Sequence, residues 1–298
     1  GSSLPAVRTL SWSAYVPGLP CFGVAVLDQC SWRDPKFSKT EQMQAPAASR
    51  PHRPVPRSSS RAITFIFRDY SLFHIAMAGP VSIIFGATGG IGAATARLLH
   101  KRGHQLVLVA RNKEKLDQLA GELGGSRPSD TGAPTVHAAD ILQSAAVEEA
   151  FKKALDQHGT LDHVTHCVGS IVLKPITSVS DELLQETLQL NTASAFYVLR
   201  AACKQLPRLR QSTGDGPVNK SVTLCTSAVS MHGLPNHEAI AAAKAGVIGM
   251  ARSAAASFAP RGLRVNCVAP GMTETPLASF ITERPASRKA SEVLHPLG

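Results

Sequence analysis

The sequence predicts a single α/β domain built on a doubly wound parallel sheet, and two observations predict it. From Met77 onward, short apolar runs alternate with helix-length amphipathic segments, the pattern of successive βαβ units. The first of those runs passes through a glycine-rich turn straight into a helix, the junction that brings backbone N–H groups to the carboxyl end of a sheet.

Strands are predicted over Val81–Phe85, Gln105–Val109, Thr135–Ala138, His163–Val168, Ser221–Cys225 and Arg264–Val268. Between them, helices are predicted over Ile91–Arg102, Lys113–Leu123, Ser144–Gln157, Asp181–Leu209 and Asn236–Phe258. Six strands joined by five right-handed crossovers place helices on both faces of the sheet.

The 298 residues, 44% of them hydrophobic, are enough to bury a sizeable core. The net charge of +10 is unevenly spread. Residues 1–76 carry nine Lys/Arg against four acids, so about half of the excess lies in a Pro/Arg/Ser-rich leader. That leader shows no sustained period and is expected to be disordered. It reads equally as an organelle transit peptide or as a gene-model artefact preceding Met77.

The remainder has no dense basic run with interleaved aromatics, so neither nucleic acid nor a membrane is an expected partner. The most apolar stretch, Ala62 to Ala76, is broken by Arg68 and Asp69. A cytoplasmic protein is expected, or a plastid or mitochondrial one if the leader is a transit peptide. The six cysteines show no CxxC pair and no zinc-ligand spacing, and no metal site is expected.

Strand one runs into Gly86-Ala87-Thr88-Gly89-Gly90-Ile91-Gly92 and then into a helix. Glycines here allow a tight turn and close approach of a pyrophosphate to a helix N-terminus. Strand two ends at Val109-Ala110-Arg111-Asn112, without the acid that grips ribose hydroxyls in NAD-preferring folds. Arg111 offers a guanidinium suited to a 2′-phosphate, which favours NADP(H) over NAD(H).

These residues and those that follow resemble the short-chain dehydrogenase/reductase family over about Val81 to Gly298. Gly86-xxx-Gly90-x-Gly92 matches the family's glycine motif, and Asp140 its adenine-contacting acid. Asn191 matches the structural asparagine of the active site, Ser227 the catalytic serine and Lys244 the motif lysine. Pro270-Gly271-Met272-Thr273-Glu274-Thr275 matches the loop that holds nicotinamide.

The resemblance implies a Rossmann-type sheet and a cofactor bound by Gly86, Thr88, Gly90, Ile91, Gly92, Arg111, Asp140, Ile141, Val168, Gly169, Lys244, Pro270, Gly271 and Thr275. It implies Ser227, Lys244 and Asn191 as catalytic groups and a small-molecule substrate. It also implies a homodimer or homotetramer formed through the Asp181–Leu209 helix and the following one. The small residues Ala241, Ala245 and Gly249 suit close helix approach there.

Three departures accompany the matches. The family's Asn-Asn-Ala-Gly after strand four is His166-Cys167-Val168-Gly169. The family's tyrosine, thirteen residues after the serine and four before the lysine, is Ile240. The serine-to-lysine spacing is preserved, and the only tyrosines, Tyr15, Tyr70 and Tyr197, lie elsewhere in the sequence. Lastly, the chain stops at Gly298 where family members continue, so the domain resembles one cut before its last strand, with strand six expected at an open edge.

Isoleucine has no proton to move. Ser227, Lys244 and Asn191 are therefore expected either to support an NADP(H)-dependent oxidoreductase with an altered proton route, or to serve a silent NADP(H)-binding protein acting as sensor or subunit. His237, three residues before Ile240, reads as a substitute acid or as a helix-cap histidine.

Overall fold

The computed structural model describes residues 24–27, these four by backbone alone, and residues 79–124, 132–209 and 220–294. One sheet of seven strands runs through it. The strands are β1 (Val24–Leu27), β2 (Val81–Phe85), β3 (Gln105–Ala110), β4 (Thr135–Ala138), β5 (His163–His166), β6 (Lys220–Cys225) and β7 (Leu263–Pro270). Their order is β1-β7-β6-β5-β2-β3-β4, with β2 to β7 parallel and β1 antiparallel to β7. The six parallel strands are those the sequence predicts, with ends shifted by one or two residues.

The expected disorder of 1–76 lies outside the described residues except at β1. There Val24 pairs with Pro270 and Leu27 with Cys267. The β7 edge, expected to be open, is thus paired, which satisfies backbone groups that an edge strand leaves exposed. Four apolar residues inside a Pro/Arg-rich leader are too short a run to read as a strand.

Helices α1 (Gly90–Lys101) and α2 (Lys113–Gly124) cover one face, and α3 (Ser144–His158), α5 (Ser194–Gln205) and α6 (Glu238–Phe258) cover the other. The core is split accordingly. Ile84, Leu106 and Leu108 pack with Ala96, Leu116 and Leu119, while Phe85, Val164, Leu224 and Val265 pack with Phe151, Val198 and Val247. β2 is buried along its whole length, as expected of a strand sandwiched between helices.

β5 and β7 instead alternate between buried residues and half-buried ones, with Arg264 exposed at the start of β7. The row Thr165, Thr223, Asn266 runs in register across β5, β6 and β7 on the half-buried face. The second apolar cluster reaches only β2, β3 and the neighbouring Val136.

The predicted helix over Asp181–Leu209 is two helices. α4 (Asp181–Leu188) and α5 are joined by a π turn, Gln189–Ala193. Hydroxyls loosen the helix there: Thr187 Oγ1 donates to Leu183 O and Ser194 Oγ to Leu190 O. Pro207 then ends α5 in a 3-10 turn. Beyond β7 lie two short helices without sequence expectation, α7 (Ser279–Thr282) and α8 (Pro285–Glu292).

At the amino edge of the sheet, fully buried Lys220 donates to Asp162 Oδ1 at 2.8 Å, Leu161 O at 2.7 Å and Thr160 Oγ1 at 3.1 Å. Asp162 Oδ2 accepts from Val81 N at 2.9 Å. Both charges are therefore met by partners, the condition under which a buried pair is tolerated. The opposite, carboxyl edge is where βα loops gather and where ligands bind in this architecture.

Candidate active site

The turn between β2 and α1 is shaped by steric necessity at two glycines. Gly86 has φ +79°, and a Cβ on Gly92 would lie 2.1 Å from the Gly86 carbonyl oxygen. Gly86 N donates to Val109 O at 2.8 Å, which fixes the turn to the end of β3. A Cβ on Gly90 would meet Thr275 Cγ2 at 2.5 Å, so the loop after β7 rests on this turn. Gly89 caps α1 without a side-chain bond, leaving the N–H groups of the first turn, near Thr88 and Ile91, to a ligand. Val168 Cγ2 closes the turn from the β5 side. This cradle fits the pyrophosphate of a dinucleotide.

Arg111 follows β3 directly and is exposed. Asn112 takes the capping role for α2, its Oδ1 accepting from Lys115 N at 2.7 Å, so the Arg111 side chain is not needed to open that helix. β4 lies beside β3, with Ala139 N donating to Ala110 O at 2.9 Å, so Asp140 and Arg111 stand at neighbouring strand ends. Asp140 Oδ1 accepts from Leu142 N at 3.1 Å while Ile141 is buried beneath. Pro270 ends β7 on the same edge, and Gly271 follows it.

Lys244, Asn191 and Gly169 come together. A Cβ on Gly169 would lie 2.8 Å from both Asn191 Oδ1 and Lys244 Nζ. Lys244 Nζ donates to Cys225 O at 3.1 Å. Burial pulls the lysine pKa below its ordinary value, and neighbouring Cys225 and Cys167 pull weakly the other way. Two hydroxyls hold its helix in place: Thr226 Oγ1 donates to Lys244 O at 2.9 Å and Thr192 Oγ1 to Ala243 O at 2.8 Å.

Asn191 is fully buried in the π turn. Its Nδ2 donates to Ser170 Oγ and Thr187 O, both at 2.9 Å, and its Oδ1 accepts from Ser170 N at 3.0 Å. Both amide protons are committed, so toward the site Asn191 can only accept. Ser227 follows β6, half-buried, with its hydroxyl committed to no protein group among the described residues. Ile240 sits one turn before Lys244 on α6, buried at 4% exposure. His237 is the N-cap of that helix with its Nδ1 2.7 Å from Pro235 O, the cap position of the two read from sequence.

His166 faces away from the edge. It is fully buried, its Nε2 meets Ser194 Oγ at 3.0 Å, and its Nδ1 has no hydrogen-bond partner among the described residues. Burial, and secondarily the Lys244 charge, push its pKa down to about 3. Burial raises the thiols of Cys167 and Cys225, so both stay protonated. Sequence reasoning missed Ser170, Thr192 and Thr226 as supports. The available signal was a hydroxyl directly beside each motif residue: Thr192 after Asn191, Thr226 before Ser227 and Ser170 after Gly169.

Sheet order, glycine cradle and lysine-asparagine pair define a nucleotide-binding α/β fold of the oxidoreductase kind. The family model described as Enoyl-(Acyl carrier protein) reductase matches residues 86–298. The chain is 31% identical over 205 residues to D-threitol dehydrogenase of Mycolicibacterium smegmatis, covering 69% of this chain and 74% of that one. A short-chain type dehydrogenase/reductase from Mycobacterium ulcerans superposes with a TM-score of 0.65 at 27% identity, over 72% of this chain and 75% of the other. An alcohol dehydrogenase from the archaeon Thermococcus sibiricus, complexed with 5-hydroxy-NADP, gives a TM-score of 0.55 at 27% identity, over 61% and 72%. The chain belongs to the short-chain dehydrogenase/reductase family of oxidoreductases. No helix among the described residues is long and apolar enough to cross a membrane.

Proposed function

We propose that this chain is an NADP(H)-dependent oxidoreductase that interconverts a carbonyl compound and an alcohol by a proton route without a tyrosine. The observation that carries it is the placement of Lys244 Nζ and Asn191 Oδ1 together at Gly169, one helical turn from Ile240. Arg111, exposed at the end of β3 with no carboxylate in Ala110–Asn112, supports a 2′-phosphate. The Thermococcus relative, bound to an NADP derivative, is consistent with that choice.

When bound, the nicotinamide supplies or accepts the hydride. Ser227 donates to the substrate oxygen and orients it. Lys244 would hold the cofactor's ribose and would add positive charge near the substrate oxygen. Asn191 Oδ1 accepts from a water, and that water, replenished from solvent, delivers the proton to the substrate oxygen. The missing positioned acid costs roughly 10²–10⁴-fold in rate, so turnover is slow rather than absent. A titration of NADPH binding beside NADPH oxidation across diverse carbonyls tests the reading.

Ile240 itself favours a second reading, a silent NADP(H)-binding protein; binding without turnover on any carbonyl selects it. We also propose a homodimer or homotetramer. Leu184, Leu188 and Phe196 on α4 and α5 are exposed, as are Ala245 and Gly249 on α6. Mass in solution tests the assembly.

A further inference from the structure

Among the described residues, ten large hydrophobic side chains are exposed, and five of them stand on the three segments that follow β5, β6 and β7 at the candidate active site. Leu173 (39% exposed) and Ile176 (65%) follow β5, Met231 (40%) follows β6, and Leu277 (52%) and Phe280 (44%) follow β7. The loops are tied to one another and to the cradle. Lys174 N donates to Asn236 O at 2.9 Å, joining the first loop to the second, and Thr275 of the third rests against Gly90.

Acidic groups are scarce on the same segments. No Asp or Glu occurs in residues 170–180 or 226–237. Glu274 on the third loop is taken by an ion pair with Arg288. A polyol needs a hydrogen-bond acceptor or donor for each hydroxyl it buries, since an unmatched buried hydroxyl costs several-fold to many-fold in binding. Isoleucine at position 240 removes one more polar group from the floor of the site. Isolated apolar side chains on a surface need no explanation, but a set gathered on the segments that leave one edge of the sheet marks a surface for an apolar ligand.

We infer that the substrate is a neutral carbonyl compound or alcohol with a bulky apolar body of more than about six carbons, its oxygen at Ser227 and its apolar end among Leu173, Ile176, Met231, Leu277 and Phe280. This rests on the oxidoreductase reading above. It sets the chain apart from its D-threitol-oxidising relative, whose substrate is a small polyol.

The test has two arms on the NADP(H)-loaded protein. In one, NADPH oxidation is followed with straight-chain aldehydes from butanal to decanal, beside the ketose erythrulose. In the other, straight-chain alcohols from butan-1-ol to decan-1-ol are titrated by calorimetry in the presence of NADP+. Affinity and kcat/KM are expected to rise about fourfold per added methylene until the mouth is filled, the worth of one buried CH2. Ile176→Ser and Phe280→Ser should flatten that slope without changing NADP+ affinity.

A slope in alcohol binding with no turnover sustains the ligand class and overturns the oxidoreductase reading. Turnover with no slope, or erythrulose consumed faster than decanal, overturns the inference alone. A drop in solution mass of the two variants assigns these side chains to a subunit contact and overturns it as well.

Discussion

Lys244 Nζ is held 3.1 Å from the carbonyl oxygen of Cys225, so the last residue of β6 aims the ammonium at the turn after β5. The lysine is thereby fixed without help from any side chain at position 240. Lys244→Met should leave a folded protein whose NADPH affinity is lower by about tenfold to a hundredfold, the worth of one charge-assisted hydrogen bond of about 1.5–3 kcal/mol. Calorimetric titration checks it; an unchanged Kd would remove Lys244 from the cofactor site.

Arg111 should set the cofactor preference. In the unaltered protein NADPH is expected to bind more tightly than NADH, and Arg111→Ala should reduce NADPH affinity about tenfold while leaving NADH affinity within twofold, on the usual worth of a charged hydrogen bond. Equal affinities before the substitution would rule out the 2′-phosphate reading.

Gly92 and Gly89 differ sharply although only two residues separate them. A Cβ at 92 would lie 2.1 Å from a backbone oxygen that cannot move without reshaping the turn, whereas one at 89 would meet the Gly86 oxygen at 3.4 Å, and φ at Gly89 is −77°. Gly92→Ala should cost about 1–3 kcal/mol of stability and abolish measurable NADPH binding. Gly89→Ala should stay within about 0.5 kcal/mol. Urea unfolding of the two variants side by side decides it.

His166 should make the fold acid-labile. Its pKa is about 3 in the folded protein against 6.5 unfolded. As pH falls below 6.5, the unfolded chain takes up a proton that the folded one refuses, so stability is full above 6.5 and declines by up to about 1.4 kcal/mol per pH unit toward 3. His163, held down to about 4 mainly by burial, adds a loss of the same sign over 6.5 to 4. His166→Asn should lessen the slope of unfolding free energy between pH 6.5 and 4.5. An identical slope in the variant would place the proton uptake elsewhere.

The parallel strands and their helices were legible because period and turn chemistry agree from Val81 to Val268. The π turn was not: Thr187, Asn191 and Ser194 are ordinary helix residues in sequence, and only their hydroxyl and amide bonds, made against Ser170 and their own helix, open it. The glycine cradle was readable from the strand-turn-helix spacing, whereas the pairing of Lys244 with Asn191 was implied only by the resemblance to the family. The inward turn of His166 was not, since a histidine after an apolar strand can face either way, and Ser194 on α5 decides which.

Ile240 offers the most direct test of the site. It is buried one turn before Lys244 on the same helix, its neighbours at 239 and 243 are buried alanines, and Ser227, just after β6, has a hydroxyl committed to no protein group among the described residues. Ile240→Tyr should set a phenol near Ser227 and within the field of the Lys244 ammonium, which lowers the phenol's pKa. A positioned acid of this kind is worth about 10²–10⁴-fold, so reduction of a reactive aldehyde by NADPH is expected to rise by one or more orders of magnitude. The phenol is larger than the isoleucine side chain, and overpacking will remove about 1–3 kcal/mol of stability; NADPH affinity must be followed alongside rate. Intact binding without a gain in rate would mean that the cleft is built around Ile240. Ser227→Ala in the unaltered protein then separates the two remaining readings: loss of a measurable basal rate identifies a working enzyme with its own proton route, and no rate to lose identifies a cofactor-binding protein.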